Sequence, residues 1–264
     1  MEDAFHELAE RYNSSGGILR QVLRHELVDR GLAEHLPGPP ARITDVGGGA
    51  GQQAIPLSRR GYEVTIIDPS PKMLAEARNR LALEEAGVQR RVRFVECTGE
   101  RAPEALGGET FDAVLCHGVL MYLEDPRPMI HALSALLRSG GVVSVLAKNA
   151  TALALRPALE GRYQDALCSL KADRDRGRLG VTTRGDTVEN LYGAFREAGI
   201  EALKWYGVRV FTDHLGDRMP GEDLPEVLKL EWEAGRREPY RSVARLIHLL
   251  GRKKPIQGYP HPGP

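Results

Sequence analysis

The segment from Ala41 to Asp68 restricts the fold more than any other part of this 264-residue chain. ARITDV reads as a buried strand. It runs into the glycine loop Asp45-Val46-Gly47-Gly48-Gly49-Ala50-Gly51, and QQAIPLSRRG then reads as a helix. YEVTIID follows as a second strand ending at Asp68. Strand, tight turn, helix and strand at this spacing make a unit whose two strands lie parallel. The alternation continues. PSPKMLAEARNRLALEEAG is a helix with Pro69 near its start and Gly87 just past its end. VRFVEC is a strand, and FDAVLCHGVL is another with its loop. DPRPMIHALSALLRSGG is a helix that stops at paired glycines, and VVSVLAKN is a fifth strand. DTVENLYGAFREAGI returns as a helix, and EALKWYGVRVF and SVARLIHLLGRKK supply the last two strands. The expectation is an α/β fold with a mostly parallel seven-stranded sheet and helices on both faces.

Three regions flank or interrupt that pattern. Residues 1–40 hold AFHELAERY and ILRQVLRHELVDRGLAEHL, both with helical apolar spacing, and Pro37-Gly38-Pro39-Pro40 ends them. They are expected to form a helical cap on the domain 41–250. Insertions fall at about 150–185 and 212–240, and residues 251–264 are expected to form a disordered tail. The first insertion carries Lys171, Arg174, Arg176, Arg178 and Arg184. Over the whole chain 36 basic residues balance 36 acidic ones, so only such a local patch could attract phosphate. There is no apolar run near membrane-spanning length and no basic, apolar leader at the N-terminus, so a cytoplasmic protein without a membrane partner is expected. Cys97, Cys116 and Cys168 form no CxxC pair, and no metal site is expected.

Glycines at a first strand–helix turn also occur in dinucleotide enzymes, where a pyrophosphate sits at the helix N-terminus. Here an acidic residue precedes the first glycine, and Gly47, Gly49 and Gly51 alternate as D-x-G-x-G-x-G. The dinucleotide fingerprint needs two residues between its last two glycines, and Gly49 and Gly51 leave one. The loop resembles the first motif of class I methyltransferases. That resemblance implies a Rossmann-like fold and S-adenosylmethionine as methyl donor. Glycines let the backbone approach such a phosphate-free ligand, and Asp45 would lie near its amino-acid end. Asp68, 23 residues after Asp45, suits the ribose hydroxyls; it could equally cap the helix that follows. Gly99 and Glu100, after the third strand, are candidates for the adenine edge. His117, after the fourth, falls where ligands lie in open α/β sheets.

The resemblance extends further. FHELAERY, GGILRQ, DVGGGAGQ, FDAVLCHGVLMYLEDP, LLRSGGVVSVLAKNA, YGVRVFTDHL and LEWEAGRREPYRSVARLIH, in this order, are similar to the bacterial tRNA 5-carboxymethoxyuridine methyltransferase family. The more specific segments are GVRVFTDHL and RREPYRSVARLIH. The family methylates a carboxylate on a wobble uridine, which implies the tRNA anticodon region as partner. Carried over, Arg20 would bind the donor's carboxylate, Gly47 and Gly48 would contact the donor through backbone, Asp68 would hold the ribose, Gly99 would approach the adenosine and His117 would lie near the methionine half. Two segments depart from the family: LKADRDRGRLGVTTRGD places aspartates among its arginines, and KNATA replaces a YNAHG-like run.

A carboxylate acceptor is already ionised at neutral pH and needs cations rather than a base. Lys148, Arg209, Arg237 and Tyr240 are acceptor-positioning candidates, with Arg209 placed by alternation inside an apolar strand and Tyr122 as a pocket wall. No base motif of the Asp/Asn-Pro-Pro-Tyr kind follows the fourth strand. This fits carboxylate methylation, but also fits His117 as base toward a hydroxyl. A small-molecule O- or carboxyl-methyltransferase is the alternative, and a donor-binding domain without turnover is a third reading. The sequence leaves the oligomeric state open.

Overall fold

The computed structural model describes residues 17–176 and 180–255. The helix expected in AFHELAERY and the tail QGYPHPGP lie outside those residues. The described chain opens with α1 (Leu19–Ala33) and then alternates: β1 (Arg42–Val46), α2 (Ala54–Arg59), β2 (Glu63–Ile67), α3 (Pro71–Leu81), α4 (Ala86–Gln89), β3 (Val92–Val95), α5 (Ala102–Ala105), β4 (Phe111–His117), α6 (Arg127–Leu136) and β5 (Leu137–Lys148). The first insertion holds α7 (Leu155–Leu159), α8 (Tyr163–Ser169) and the antiparallel hairpin β6 (Arg174–Arg176) and β7 (Thr182–Arg184). Then come α9 (Val188–Glu197), β8 (Ile200–Val208), α10 (Leu224–Gly235) and β9 (Leu246–Lys253).

Seven strands form one sheet in the order β3-β2-β1-β4-β5-β9-β8. β9 pairs antiparallel with both neighbours; the other pairings are parallel. Alternating residues of each strand feed two apolar layers. Ile43, Val64, Leu115 and Leu250 pack beneath Leu23, Leu27 and Leu32 of α1 and Leu57 of α2. Val46, Ile67, Val114 and Val145 pack against Met129 and Leu133 of α6 and Leu191 and Phe195 of α9. Each fully buried Leu or Phe contributes about 1.5–3 kcal/mol, so the sheet is held from both sides, as the near-continuous apolar strands require. The chain reverses its direction of travel across the sheet between β1 and β4. Beyond their carboxyl ends lies the crevice where open α/β sheets bind ligands.

Several boundaries differ from the sequence expectation. α3 stops at Leu81, not near Gly87, which lies in α4. The intervening turn lets Val88 pack with Ile55 and Leu81, while Glu84 meets Arg59 of α2. α6 stops at Leu136, before the paired glycines, because Leu137 already pairs with Phe111 of β4. The Lys253 ammonium closes that helix end by donating to the carbonyls of Ser134 and Leu137 at 2.7 and 2.9 Å. The same lysine ends β9, so the ordered sheet runs past residue 250 into the expected tail.

The second insertion, for which the sequence reading set bounds but no elements, contains α10. Leu224, Val227, Leu228 and Trp232 give it an apolar stripe at helical spacing. Trp232 stacks on Tyr206 with ring centroids 5.2 Å apart. Gly235 permits the close approach to β8, since a Cβ there would stand 2.2 Å from the Gly207 carbonyl oxygen.

Candidate active site

The glycine loop is tied to the end of β2. The Gly47 and Gly48 amides donate to the Ile67 carbonyl at 2.7 and 3.2 Å. The Gly49 amide donates to one Asp68 carboxylate oxygen at 3.0 Å, and the Ser70 amide donates to the other at 2.9 Å. Gly47 and Gly49 adopt φ of 70° and 54°, which side chains rarely tolerate. A Cβ on Gly47 would stand 2.3 Å from a Val119 methyl. Gly51, at φ 75°, faces the other way, against Ile55 and Ile66, and supports the loop from behind.

Ser70, not Asp68, caps α3: its hydroxyl accepts from the Met73 amide at 3.3 Å. Asp68 is therefore aimed at the crevice. Burial pushes its carboxyl pKa up, opposed by the two backbone amides. Asp45, 3% exposed, is pushed up to about 7 by burial and the nearby Asp68, against the pull of Arg24.

These groups border a cavity of about 340 Å³. Asp45, Gly47, Gly48, Gly49, Asp68, Gly99, Glu100, His117 and Tyr122 all line it. Gly51 does not. Met73, Val119, Leu123 and Met129 give it apolar walls. Gly99 is buried where a Cβ would come within 2.6 Å of Met129 and Val46. Arg20 is not part of the lining: it pairs with Asp217 at 2.7 Å. Arg24, one helical turn on, lines the cavity and donates to the His117 carbonyl at 3.1 Å. Burial, with Arg209 nearby, lowers its pKa to about 10. His25 lines the cavity too, and burial draws it down to about 4. The sequence reading missed both. The i, i+4 relation of Arg20 to Arg24 and Val28 was the available signal.

The acceptor candidates divide. Lys148, at the end of β5, is 2% exposed, donates to the Thr183 hydroxyl at 2.6 Å and pairs with Asp175 of the hairpin. Burial, with Arg245 and Arg156 close by, draws its ammonium pKa down to about 7. Arg209 lies one residue past β8, not inside it, with φ 62°, and is the single non-glycine with positive φ among the described residues. Strain of this kind collects at functional sites. Its guanidinium pairs with Asp213 at 3.2 Å, an aspartate it shares with Arg156 and Arg245. Arg237 is an exposed partner of Glu233 at 2.6 Å, and Tyr240 is a half-exposed neighbour of Phe211; neither lines the cavity. Glu231 of α10, fully buried, holds the chain after Arg209: it accepts from the Val210 and Phe211 amides at 2.6 and 3.0 Å and from the Thr212 hydroxyl at 2.7 Å. Cys116 is buried, which pushes its thiol pKa up and keeps it from acting as a nucleophile.

A glycine cradle, two carboxylates at neighbouring strand ends and an apolar slot suit a phosphate-free nucleoside ligand, and the sheet order is that of Rossmann-like enzymes. The protein is an S-adenosylmethionine-dependent methyltransferase of this fold. A methyltransferase-domain model matches residues 44–143. The chain is 34% identical over 256 residues to tRNA 5-carboxymethoxyuridine methyltransferase of Escherichia coli K12, covering 94% of this chain and 95% of that one. It therefore belongs to the family of that enzyme. It is also 32% identical to the ubiquinone biosynthesis O-methyltransferase of Xanthomonas campestris, over 60% of this chain and 65% of the relative. The crystal structure of magnesium protoporphyrin IX methyltransferase from Synechocystis, solved with bound S-adenosylhomocysteine, shares the fold at TM-score 0.59 and 18% identity, over 89% of this chain and 85% of that one.

Proposed function

We propose that this methyltransferase esterifies the carboxylate of 5-carboxymethoxyuridine at the tRNA wobble position. The observation that carries the reading is a surplus of buried cations: Arg156, Arg209 and Arg245 share the single carboxylate of Asp213 around one small cavity of about 10 Å³, and among the described residues Arg209 Nε and Arg245 Nη1 have no hydrogen-bond partner. That is room for roughly one water-sized group. Unpaired buried donors of this kind cost about 1–3 kcal/mol each and are relieved by an anionic oxygen. Lys148 feels the charges of both Arg245 and Arg156. Arg209 in turn is charge-coupled to Arg24 of the donor cavity. The relationship to the E. coli enzyme, which spans both insertions, supports the wobble nucleoside as the carrier of that carboxylate.

On this reading Asp68 holds the ribose hydroxyls, the backbone of Gly47, Gly48 and Gly49 lies against the donor, and Gly99 and Glu100 edge the adenine. Asp45 faces the donor's positive amino-acid end. Arg24 takes the electrostatic part that the family resemblance gives to Arg20. The bound sulfonium supplies an activated methyl group. The protein aligns the acceptor and excludes water, and the carboxylate needs no base because it is already ionised. Incubation with S-adenosylmethionine and tRNA carrying 5-carboxymethoxyuridine, followed by digestion to nucleosides, is expected to yield the methyl ester. Its absence, with turnover on small carboxylic acids or phenols, would replace this reading by the small-molecule one. That alternative is favoured by one observation: hairpin residues Asp175 and Arg184 are spent on internal pairs with Lys148, Arg245 and Asp186.

A further inference from the structure

Ser144 stands between two histidines. His117 of β4, Leu146 of β5 and His248 of β9 are in register, so their side chains share a sheet face; Ser144 lies two residues earlier on β5, on the same face. The Ser144 hydroxyl is 2.9 Å from His117 Nε2 and 2.8 Å from His248 Nε2. Ser144 and His248 are fully buried. A hydroxyl has one proton, so it donates to one histidine and accepts from the other.

His248 sets the direction. Its Nδ1 is buried with no partner among the described residues, pressed against Gly31, where even a Cβ would come within 2.8 Å of that nitrogen. A proton on Nδ1 would leave a buried N–H with nothing to meet. A bare lone pair there is the cheaper arrangement, since orphaned buried N–H groups are the rarer defect. Burial also opposes a charged imidazole, lowering the pKa of His248 to about 3 and that of His117 well below its usual value. His248 Nε2–H then donates to Ser144, and the Ser144 hydroxyl donates to His117 Nε2. His117 then carries its proton on Nδ1, and His117 is among the residues that border the cavity.

The geometry points to Ser144 and His248 as positioning residues that hold His117 in its Nδ1–H tautomer, making it a hydrogen-bond donor to a carboxylate in the cavity and not a general base. The role in ligand binding rests on the donor occupying this cavity; the tautomer does not. His117 held in this way offers no base to a phenol, whereas a carboxylate, already ionised, needs none. The carboxylate is either that of the donor's methionine half or that of the acceptor.

Nitrogen NMR of histidine-labelled, ligand-free protein reads the tautomer directly. His117 is expected to show a protonated, pyrrole-like Nδ1 and a pyridine-like Nε2, and Ser144→Ala to move the proton toward Nε2. A pyridine-like Nδ1 in the native protein, or no change in the alanine variant, overturns the assignment. Binding then tests the role. His117→Asn keeps an N–H near the Nδ1 position and is expected to hold affinity; His117→Phe removes it and should cost about tenfold, the scale of one charged hydrogen bond. If the loss appears with S-adenosylhomocysteine but not with methylthioadenosine, which lacks the amino-acid end, the partner is the donor's carboxylate. If it appears only in the KM of the acceptor, the partner is the acceptor's. Loss in neither, or equal loss in the asparagine variant, overturns the donor role. Failure of S-adenosylhomocysteine to bind the native protein, with the tautomer intact, would instead count against the methyl-donor reading of the cavity.

Discussion

At the scale of single residues, the lining of the 340 Å³ cavity was largely legible, and the reasons are specific. Asp45, the three leading glycines, Asp68, Gly99 and His117 sit at strand ends, and strand ends follow from local apolar runs. Arg24, His25 and Arg245 were not legible, because nothing local marks which turn of a helix, or which strand residue, meets a distant loop. Asp45 carries a pH signature. Its carboxyl has a pKa of about 7 in the folded protein and about 3.9 when unfolded. The folded state therefore holds the proton more tightly. The stability this gives is fully present below about pH 4 and is lost as pH rises through about 7. His25 and His248, drawn down to about 4 and 3, act with the opposite sign, losing stability as pH falls below the usual histidine range. The difference between native protein and Asp45→Asn isolates the aspartate. Across pH 4–7 the variant should gain stability relative to native by up to ~1.4 kcal/mol per pH unit, as read by chemical denaturation; a flat difference would show that Asp45 ionises freely. Asp68→Asn should weaken S-adenosylhomocysteine binding by about tenfold or more, through loss of one charged acceptor, and should also lower the melting temperature, because its amide can accept from only one of the Gly49 and Ser70 amides. Calorimetric titration separates the two effects, and unchanged affinity would remove Asp68 from the ribose. Gly47→Ala meets both a positive φ and the Val119 methyl, so it should abolish measurable donor binding.

At the scale of elements, β1, β2, β4 and β5 came through because buried parallel strands read as continuous apolar runs. Ends and insertions came through less well. β5 begins at Leu137 because pairing with Phe111 overrides the helical rhythm that runs to the glycines. α10 was missed although its stripe was present, because polar residues on its outer face and a flanking Pro/Gly-rich stretch disguised it. Arg209 was expected inside a strand. In fact β8 breaks at Val208, and Glu231 of α10 captures the three polar groups that follow. The strained Arg209 is thus held by a helix the local pattern did not reveal. Glu231→Ala leaves two backbone amides and a hydroxyl unsatisfied in the interior. It should cost about 3 kcal/mol or more, seen as a lower urea midpoint, and should raise the acceptor KM more than the donor Kd. Loss of stability below about 1 kcal/mol would mean that the segment after β8 is held by other contacts.

At the scale of the whole molecule, charge decides how a nucleic acid could be gripped. The chain has no net charge, so attraction to RNA must come from one face. The first insertion was the sequence candidate, but its described charges are partly consumed. Asp175 takes Lys148 and Arg245, and Arg184 is held by Asp186 and the Leu123 carbonyl. Lys171 and Arg174 remain exposed, with Arg174 within 3.8 Å of Glu124. Among the described residues of this insertion these two cations stand exposed, and two cations neutralise few phosphates. For single-stranded RNA the logarithm of affinity falls against the logarithm of salt with a slope of about −0.7 per phosphate contacted. If the anticodon loop is the partner, about three contacts predict a slope near −2, and recognition must then rest mainly on the modified base and its carboxylate. Filter binding of modified tRNA between low and physiological salt measures this. A slope of about −5 or steeper would mean that a larger basic face forms on binding, and would move the source of affinity from the carboxylate site to the phosphate backbone. With the shallow slope, tRNA lacking the carboxymethoxy group should bind about tenfold or more weakly, because Arg209 and Arg245 would keep only the Asp213 and Asp175 carboxylates and gain no substrate anion.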